Sequence, residues 1–469
     1  MNAKMPGVAE MTAATSKTGV ALDRAESDDA GGGSSVQDPA SVEGRERSGA
    51  ALHTDGIASA GKIGAERLFA PRVAGIPGSP IDRSIALLAS QPHPTVPFAF
   101  GAPAPEAIPI ALLGEAAALA LGDADAGALS YGPTEGEPAL RAALRADLLL
   151  QGLEIADDEL LITAGGTQGL DLVCKLFVGP GDTVIAEDPT YSNGIAIVTS
   201  YEGHVLRCPT DDAGLRVDAI ARLVATTGRA PKLIYTIPNF QNPGGSTLAL
   251  ERRRSLLKLA ERYDCLILED DPYGRLFFDR APPPSLYALD RLARNGSGRV
   301  IGVHTFSKIL APGLRVGWIV APPPVIAKMI DAKQGLDTCT NVPAQRMVAR
   351  FLESGAMPGH LDMLRTTYRA RRDAMETALK QCFADMKCVR WTSPGGGFFI
   401  WLSLPAGIDA DRLLPLALAE GVAFIPGSAF RGPEGPRNAL RLSFAYPDAD
   451  AIVEGVRRLR RAIDRIPRG

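Results

Sequence analysis

No stretch of the sequence approaches the ~18 uninterrupted apolar residues that a helix needs to cross a bilayer. Its start also lacks the basic n-region and apolar h-region of a secretory signal. Asp23, Glu26, Asp28 and Asp29 speak against an organelle transit peptide. The six cysteines are scattered, with no C-x-x-C pair and no histidine at metal-ligand spacing, so neither a disulfide framework nor a zinc site is expected. Bulk charge of one sign is missing too: a formal net charge of −3 over 469 residues gives no pull toward nucleic acid or an anionic membrane. No internal repeat is found. What remains is a cytoplasmic enzyme without a metal, with small-molecule partners and ordinary composition, 46% hydrophobic and 22% charged.

Organisation along the chain is uneven. Residues 1–80 show no sustained period of 3.6 or 2 and include Gly31-Gly32-Gly33-Ser34-Ser35. Such a block cannot offset an ordering entropy of roughly 1–2 kcal/mol per residue, and it is expected to be a disordered tail. From about residue 130, short β-branched runs alternate with amphipathic stretches. Leu160–Thr163, Thr183–Ala186, Lys232–Ile237, Leu266–Glu269, Val300–Thr305 and Val316–Val320 read as buried strands, with helices such as Gly169–Phe177 and Leu250–Tyr263 between some of them. This order predicts an α/β fold, a mostly parallel sheet covered on both faces, with ligands bound beyond the carboxyl ends of the strands. After about residue 335 the pattern changes to a long helix, His360–Cys382, then strands Val389–Trp391, Phe398–Leu402, Val422–Ile425 and Leu440–Phe444. Helices near Leu413–Ala419 and Ala451–Ile463 accompany them. A smaller α+β domain is expected over 336–469, beside a large domain over 126–335.

Most of the chemistry-bearing motifs follow the predicted strands. Lys308 ends His304-Thr305-Phe306-Ser307-Lys308 among small and hydroxyl residues, where desolvation would lower an amine's pKa and make it a nucleophile. Arg315 follows, within reach of an anion that a bidentate fork suits. Ala164-Gly165-Gly166-Thr167-Gln168-Gly169 leaves one strand and opens a helix, which reads either as a phosphate cradle or as a plain turn. Tyr191, in Glu187-Asp188-Pro189-Thr190-Tyr191, is either a site aromatic or a core tyrosine. Asn239-Phe240-Gln241-Asn242-Pro243-Gly244-Gly245 is a turn. Glu269-Asp270-Asp271-Pro272-Tyr273 carries a carboxylate that needs a cation if buried. Arg441 interrupts an otherwise apolar strand, a costly choice unless it is paired.

Taken together, and in this order, these motifs resemble the fold-type-I pyridoxal-5′-phosphate aminotransferases of class I/II. The likeness is strongest to the 2-aminoadipate, aromatic and branched-chain branch, from about residue 95 to the end. The resemblance implies the cofactor bound as a Schiff base on Lys308, which also moves the proton, and an amino group passed between an L-amino acid and a 2-oxo acid. Glutamate and 2-oxoglutarate are the expected common pair. It implies that Asp270, in preference to the neighbouring Asp271, holds the pyridine nitrogen protonated, and that Tyr191 stacks on the ring. Asn242 and Tyr273 would donate to the phenolic oxygen. Gly166, Thr167 and Arg315 would hold the phosphate, with Thr305 and Ser307 also among the cofactor-binding residues; the family often has Ser where Gly166 stands, which shifts more of that contact to Thr167 and the backbone. Arg441 and Asn242 would grip the substrate carboxylate, with Gly101 of Phe98-Ala99-Phe100-Gly101-Ala102-Pro103 closing over it, so residues 81–125 are expected to pack near the site. Pro394-Gly395-Gly396-Gly397-Phe398 resembles a hairpin near it. Tyr131, in Tyr131-Gly132-Pro133-Thr134-Glu135-Gly136, resembles the tyrosine that reaches a partner's cofactor phosphate in a homodimer; otherwise it starts a Gly/Pro turn. Two other readings share these motifs: a pyridoxal-phosphate lyase, and a MocR-type regulator without its DNA-binding half. The regulator needs a basic winged-helix module, and residues 1–80 show no such pattern.

Overall fold

The computed structural model describes residues 68–76, 78–122, 126–293 and 298–466. The predicted tail falls mostly on residues 1–67, which lie outside the described residues. Its last part is ordered, contrary to a reading that ran to residue 80: Pro71–Gly75 forms a 3-10 turn against the helix Ser192–Ser200. Ser79 then caps the helix Pro80–Ala89, accepting from the Asp82 amide at 3.1 Å, with Pro80 in the first turn.

The strands, in chain order, are β1 (Val96–Pro97), β2 (Leu160–Thr163), β3 (Thr183–Asp188), β4 (His204–Asp211), β5 (Gly214–Leu215), β6 (Leu233–Thr236), β7 (Leu266–Asp270), β8 (Val300–Thr305), β9 (Gly317–Val320), β10 (Arg390–Trp391), β11 (Phe399–Ser403), β12 (Val422–Ala423), β13 (Ile425–Pro426) and β14 (Ala439–Ser443). Eight of them form one sheet in the order β2-β9-β8-β7-β6-β3-β4-β5. β8, β7, β6, β3 and β4 are mutually parallel, while β9 runs antiparallel to both its neighbours and β5 antiparallel to β4.

Side chains alternate between the two faces of this sheet, as the strand period requires. Val184 and Ala186 enter one core cluster with Leu233, Tyr235, Leu268 and Val303, beneath the helices Gly166–Phe177 and Pro323–Gln334. Ile185, Ile234 and Ile267 enter the other, which continues into the second sheet. Burial on both faces explains the uninterrupted apolar runs of β2, β6 and β9.

The second sheet is antiparallel, in the order β10-β11-β14-β13. Here one expectation fails. Val422–Ile425 is not a single strand: Val422–Ala423 pairs parallel with Val96–Pro97, and Ile425–Pro426 pairs with β14. The run is buried throughout, so its apolar pattern carries no mark of the change of partner at Phe424. Two long helices, Met357–Cys382 and Ala449–Asp464, pack together beside this sheet. Among the described residues no helix is long and apolar enough to cross a membrane.

Candidate active site

The segments that leave β2, β3, β6, β7 and β8 at their carboxyl ends converge on a cavity of about 300 Å³. Lys308 lies just past β8 and points into it. Its Nζ donates to the Gly101 carbonyl at 2.8 Å. Burial pushes the amine down to about 8; the guanidinium groups of Arg441 and Arg315 add to the shift and Asp270 opposes it.

On one side of Lys308 is a set of donors. The Thr305 hydroxyl donates to Ser307 Oγ at 2.9 Å and accepts from the Ser307 amide at 3.1 Å. Arg315 adopts a left-handed backbone (φ +52) and reaches Ser307 Oγ at 3.4 Å and the Ala164 carbonyl at 3.1 Å. It lies across Gly165 (φ +87), where a Cβ would sit 2.5 Å from its Nη2. Gly165 starts the helix Gly166–Phe177, and Gly166 and Thr167 in its first turn line the cavity, so free amides and the positive end of the helix face the same space.

On the other side is Asp270, at the end of β7. Its Oδ2 accepts from the Tyr235 hydroxyl at 2.8 Å, and burial raises its carboxyl to about 7. Asp271 faces elsewhere, accepting from Asn239 at 2.8 Å and from the Gly274 amide at 2.8 Å. Tyr191 and Tyr273 line the cavity between these groups. Burial pushes the Tyr191 phenol up to about 12, and it raises Tyr273 further still.

Arg441 enters from β14, where it stands opposite Trp401 and Ile425. Buried to 1% exposure, it donates to Asn242 Oδ1 at 3.0 Å and to the Ala99 carbonyl at 2.8 Å, with its guanidinium over the Phe399 ring at 4.2 Å. Its Nε has no partner. Burial lowers its pKa to about 10, and among the described residues no carboxylate forms an ion pair with it. A buried cation so placed calls for an anion in the cavity.

The sequence reading missed several groups that hold this arrangement. Glu187, in the Glu187–Tyr191 segment, is fully buried. It accepts from the Thr236 hydroxyl at 2.5 Å, the Ile237 amide at 3.2 Å and Gln241 Nε2 at 2.9 Å. Gln241 in turn accepts from the Gly244 amide at 2.7 Å, so the Asn242 turn is anchored from behind. Gln168 accepts from the Ala164 amide and donates to Asp337, both at 2.7 Å, and Asp337 also takes the buried Lys333 at 2.8 Å. Ile81, Asp82 and Ile85 of the first helix line the cavity mouth. The segment 81–125 was expected near the site, and the Ser79-Pro80 start signals the helix, but no individual residue of it was named.

Two predicted elements lie off the cavity wall. The Pro394–Phe398 hairpin backs the Asn242 turn: a Cβ at Gly397 (φ +71) would sit 2.7 Å from Phe240 Cβ. Tyr131 is 85% exposed and contributes nothing to the cavity of its own chain.

The donor set therefore fits a flat ligand with an anionic group at the Arg315 end and a cationic N–H at the Asp270 end. A carbon electrophile would lie near Lys308, and a carboxylate near Arg441.

Comparison with known proteins agrees. The family profile described as aminotransferase class I and II matches residues 111–459. Aromatic-amino-acid aminotransferase 1 of Thermococcus litoralis is 39% identical over 403 residues, covering 85% of this chain and 94% of the relative. The crystal structure of Pyrococcus horikoshii kynurenine aminotransferase, in complex with PMP, has a TM-score of 0.80 at 37% identity, covering 86% of this chain and 99% of that one. The α-aminoadipate aminotransferase LysN of Thermus thermophilus, complexed with N-(5′-phosphopyridoxyl)-L-leucine, has a TM-score of 0.78 at 38% identity, with 85% and 98% covered.

Proposed function

The chain belongs to the aminotransferase class I and II family, as a pyridoxal-5′-phosphate enzyme that transfers amino groups from amino acids to 2-oxo acids, and we propose that it does so from Lys308. The supporting observation is the position of that amine. It is half-buried in the cavity wall and pushed down to about 8 by desolvation, with Arg441 and Arg315 adding to the shift and Asp270 opposing it.

When bound, pyridoxal 5′-phosphate supplies an electrophilic carbon for the amino group and a conjugated ring that accepts the electron pair released at the α-carbon. Lys308 would hold the cofactor through its amine, and the same amine is placed to carry a proton to and from the substrate α-carbon. Asp270 keeps a proton on the ring nitrogen. Thr305, Ser307, Arg315, Gly166 and Thr167 would hold the phosphate, and Tyr191 would pack on the ring. Asn242 Oδ1 already accepts from Arg441, which leaves its Nδ2 to donate, beside Tyr273, to the phenolic oxygen. Arg441 takes the substrate α-carboxylate while Gly101 closes over it.

The common acceptor in this reading is 2-oxoglutarate, returning glutamate. The enzyme works as a homodimer in which Tyr131 completes the partner's phosphate site. Exposed Ile110, Leu119, Leu121 and Leu129 precede Tyr131 in sequence and supply apolar surface for such a contact. Six free thiols are in keeping with the reducing cytoplasm.

A single-turnover experiment tests the reaction. Holoenzyme mixed with an amino acid and no acceptor should yield one equivalent of 2-oxo acid and of pyridoxamine phosphate. Release of ammonia with pyridoxal phosphate retained would show elimination instead.

A further inference from the structure

Tyr235 lies in the dry interior behind Asp270. It sits on β6, in register with Leu268 of β7, and is 1% exposed. A phenylalanine would satisfy the packing there, and a buried hydroxyl without a partner is costly. The hydroxyl nevertheless has room made for it. Gly194, facing it from the helix Ser192–Ser200, would place a Cβ 2.7 Å from the oxygen and 2.8 Å from Cζ. The O–H donates to Asp270 Oδ2 at 2.8 Å.

We propose that Tyr235 is a positioning residue for Asp270: its hydroxyl fixes Oδ2, holds the carboxylate ionised, and leaves Oδ1 to face the ring nitrogen of the cofactor. The inference rests on the role given to Asp270 above. Asp270 needs such support. Burial favours its neutral acid, Asp271 beside it and Glu187 on β3 repel its charge, and of the facing groups Lys308 is the cation that offsets them. Tyr191 and Tyr273, the other titratable groups facing it, stay protonated at neutral pH and cancel none of that repulsion. A hydrogen bond to the charged form shifts the balance toward the carboxylate.

The test is Tyr235→Phe, read first in the apoenzyme. Infrared difference titration follows the protonated-carboxyl stretch, with Asp270→Asn identifying the band. The band should persist to higher pH in Tyr235→Phe, its midpoint moving up by about one unit, a tenfold change in proton affinity. With ¹⁵N-labelled cofactor bound, the ring-nitrogen signal should move toward the unprotonated position. The kcat should fall about tenfold with little change in KM, since a hydrogen bond to a charge is being removed. Gly194→Ala, which crowds the same hydroxyl, should move the titration in the same direction. Should Tyr235→Phe not fold, that variant carries the test. An unchanged titration overturns the proposal and leaves the reading of Asp270 standing. A shifted titration with an unchanged nitrogen signal also overturns it, and shows that Asp270 does not serve the ring nitrogen.

Discussion

Arg441 Nη1 and Asn242 Oδ1, 199 residues apart in the chain, are 3.0 Å apart in space. The bond ties the central strand pair of the second sheet to the turn after β6 of the first. It also engages Asn242 Oδ1, leaving Nδ2 as the donor end of the amide. In the proposed function, one contact would therefore orient the group for the substrate carboxylate and a group for the cofactor together.

Arg441→Leu is expected to raise KM for every amino-acid substrate and to lower kcat/KM at least roughly tenfold, because charge-assisted hydrogen bonds are worth about 1.5–3 kcal/mol each. Steady-state kinetics over several substrates check this, alongside cofactor affinity, which should change far less. A change confined to the ranking of substrates would make Arg441 a side-chain reader.

The rate at which apoenzyme captures pyridoxal phosphate covalently should rise with pH and reach half its maximum near pH 8. Only the neutral amine attacks, and burial with Arg441 and Arg315 holds the Lys308 ammonium form unstable above that pH. An exposed lysine would keep gaining toward its ordinary value of about 10.4. In Arg441→Leu a repelling cation is gone, so the half-rise should move to higher pH. Stopped-flow absorbance at a series of pH values reads both.

Gly165→Ala should weaken cofactor binding more than it lowers stability. Its backbone (φ +87, ψ 171) lies in a region essentially restricted to glycine and costs roughly 1–3 kcal/mol for a residue with a Cβ. The added methyl would also stand 2.5 Å from Arg315 Nη2 and push the guanidinium from the anion cradle. Equilibrium dialysis of the cofactor and thermal unfolding of the apoenzyme separate the two effects. Gly152→Ala, also at positive φ but with open space around it, controls for backbone strain alone.

Much of this site was legible in the sequence because buried strands announce themselves. β2, β8 and the helix Leu250–Tyr263 fall where the apolar runs put them, and the reactive residues follow strand ends. β4 went unread, since its mixed exposure and Pro209 break the apolar pattern. The supporting network was hidden for a different reason. Tyr235 in Leu233–Thr236 reads as one more core residue, and nothing local couples it to Asp270. Glu187 and Gln241, or Gln168 and Asp337, are likewise joined only by the fold. A motif marks the groups that touch a ligand. The groups behind them are visible only once strands are laid side by side.

Tyr131 should act in the partner's site. Mixing inactive Lys308→Ala subunits with Tyr131→Phe subunits, under conditions that allow exchange, should restore activity above either variant alone. Both defects then fall in one site, and the other retains Lys308 and Tyr131. No recovery despite exchange, or a fully active monomer, would contradict a shared site.

The central claim is that Lys308 carries the cofactor, and borohydride reduction of the holoenzyme followed by peptide mapping tests it most directly. Reduction should leave a single pyridoxyl group, on the peptide that contains Lys308, and Lys308→Ala should lose both that label and the visible absorbance while keeping its fold. A pyridoxyl label on any other lysine, or a visible band that survives in Lys308→Ala, would contradict the account.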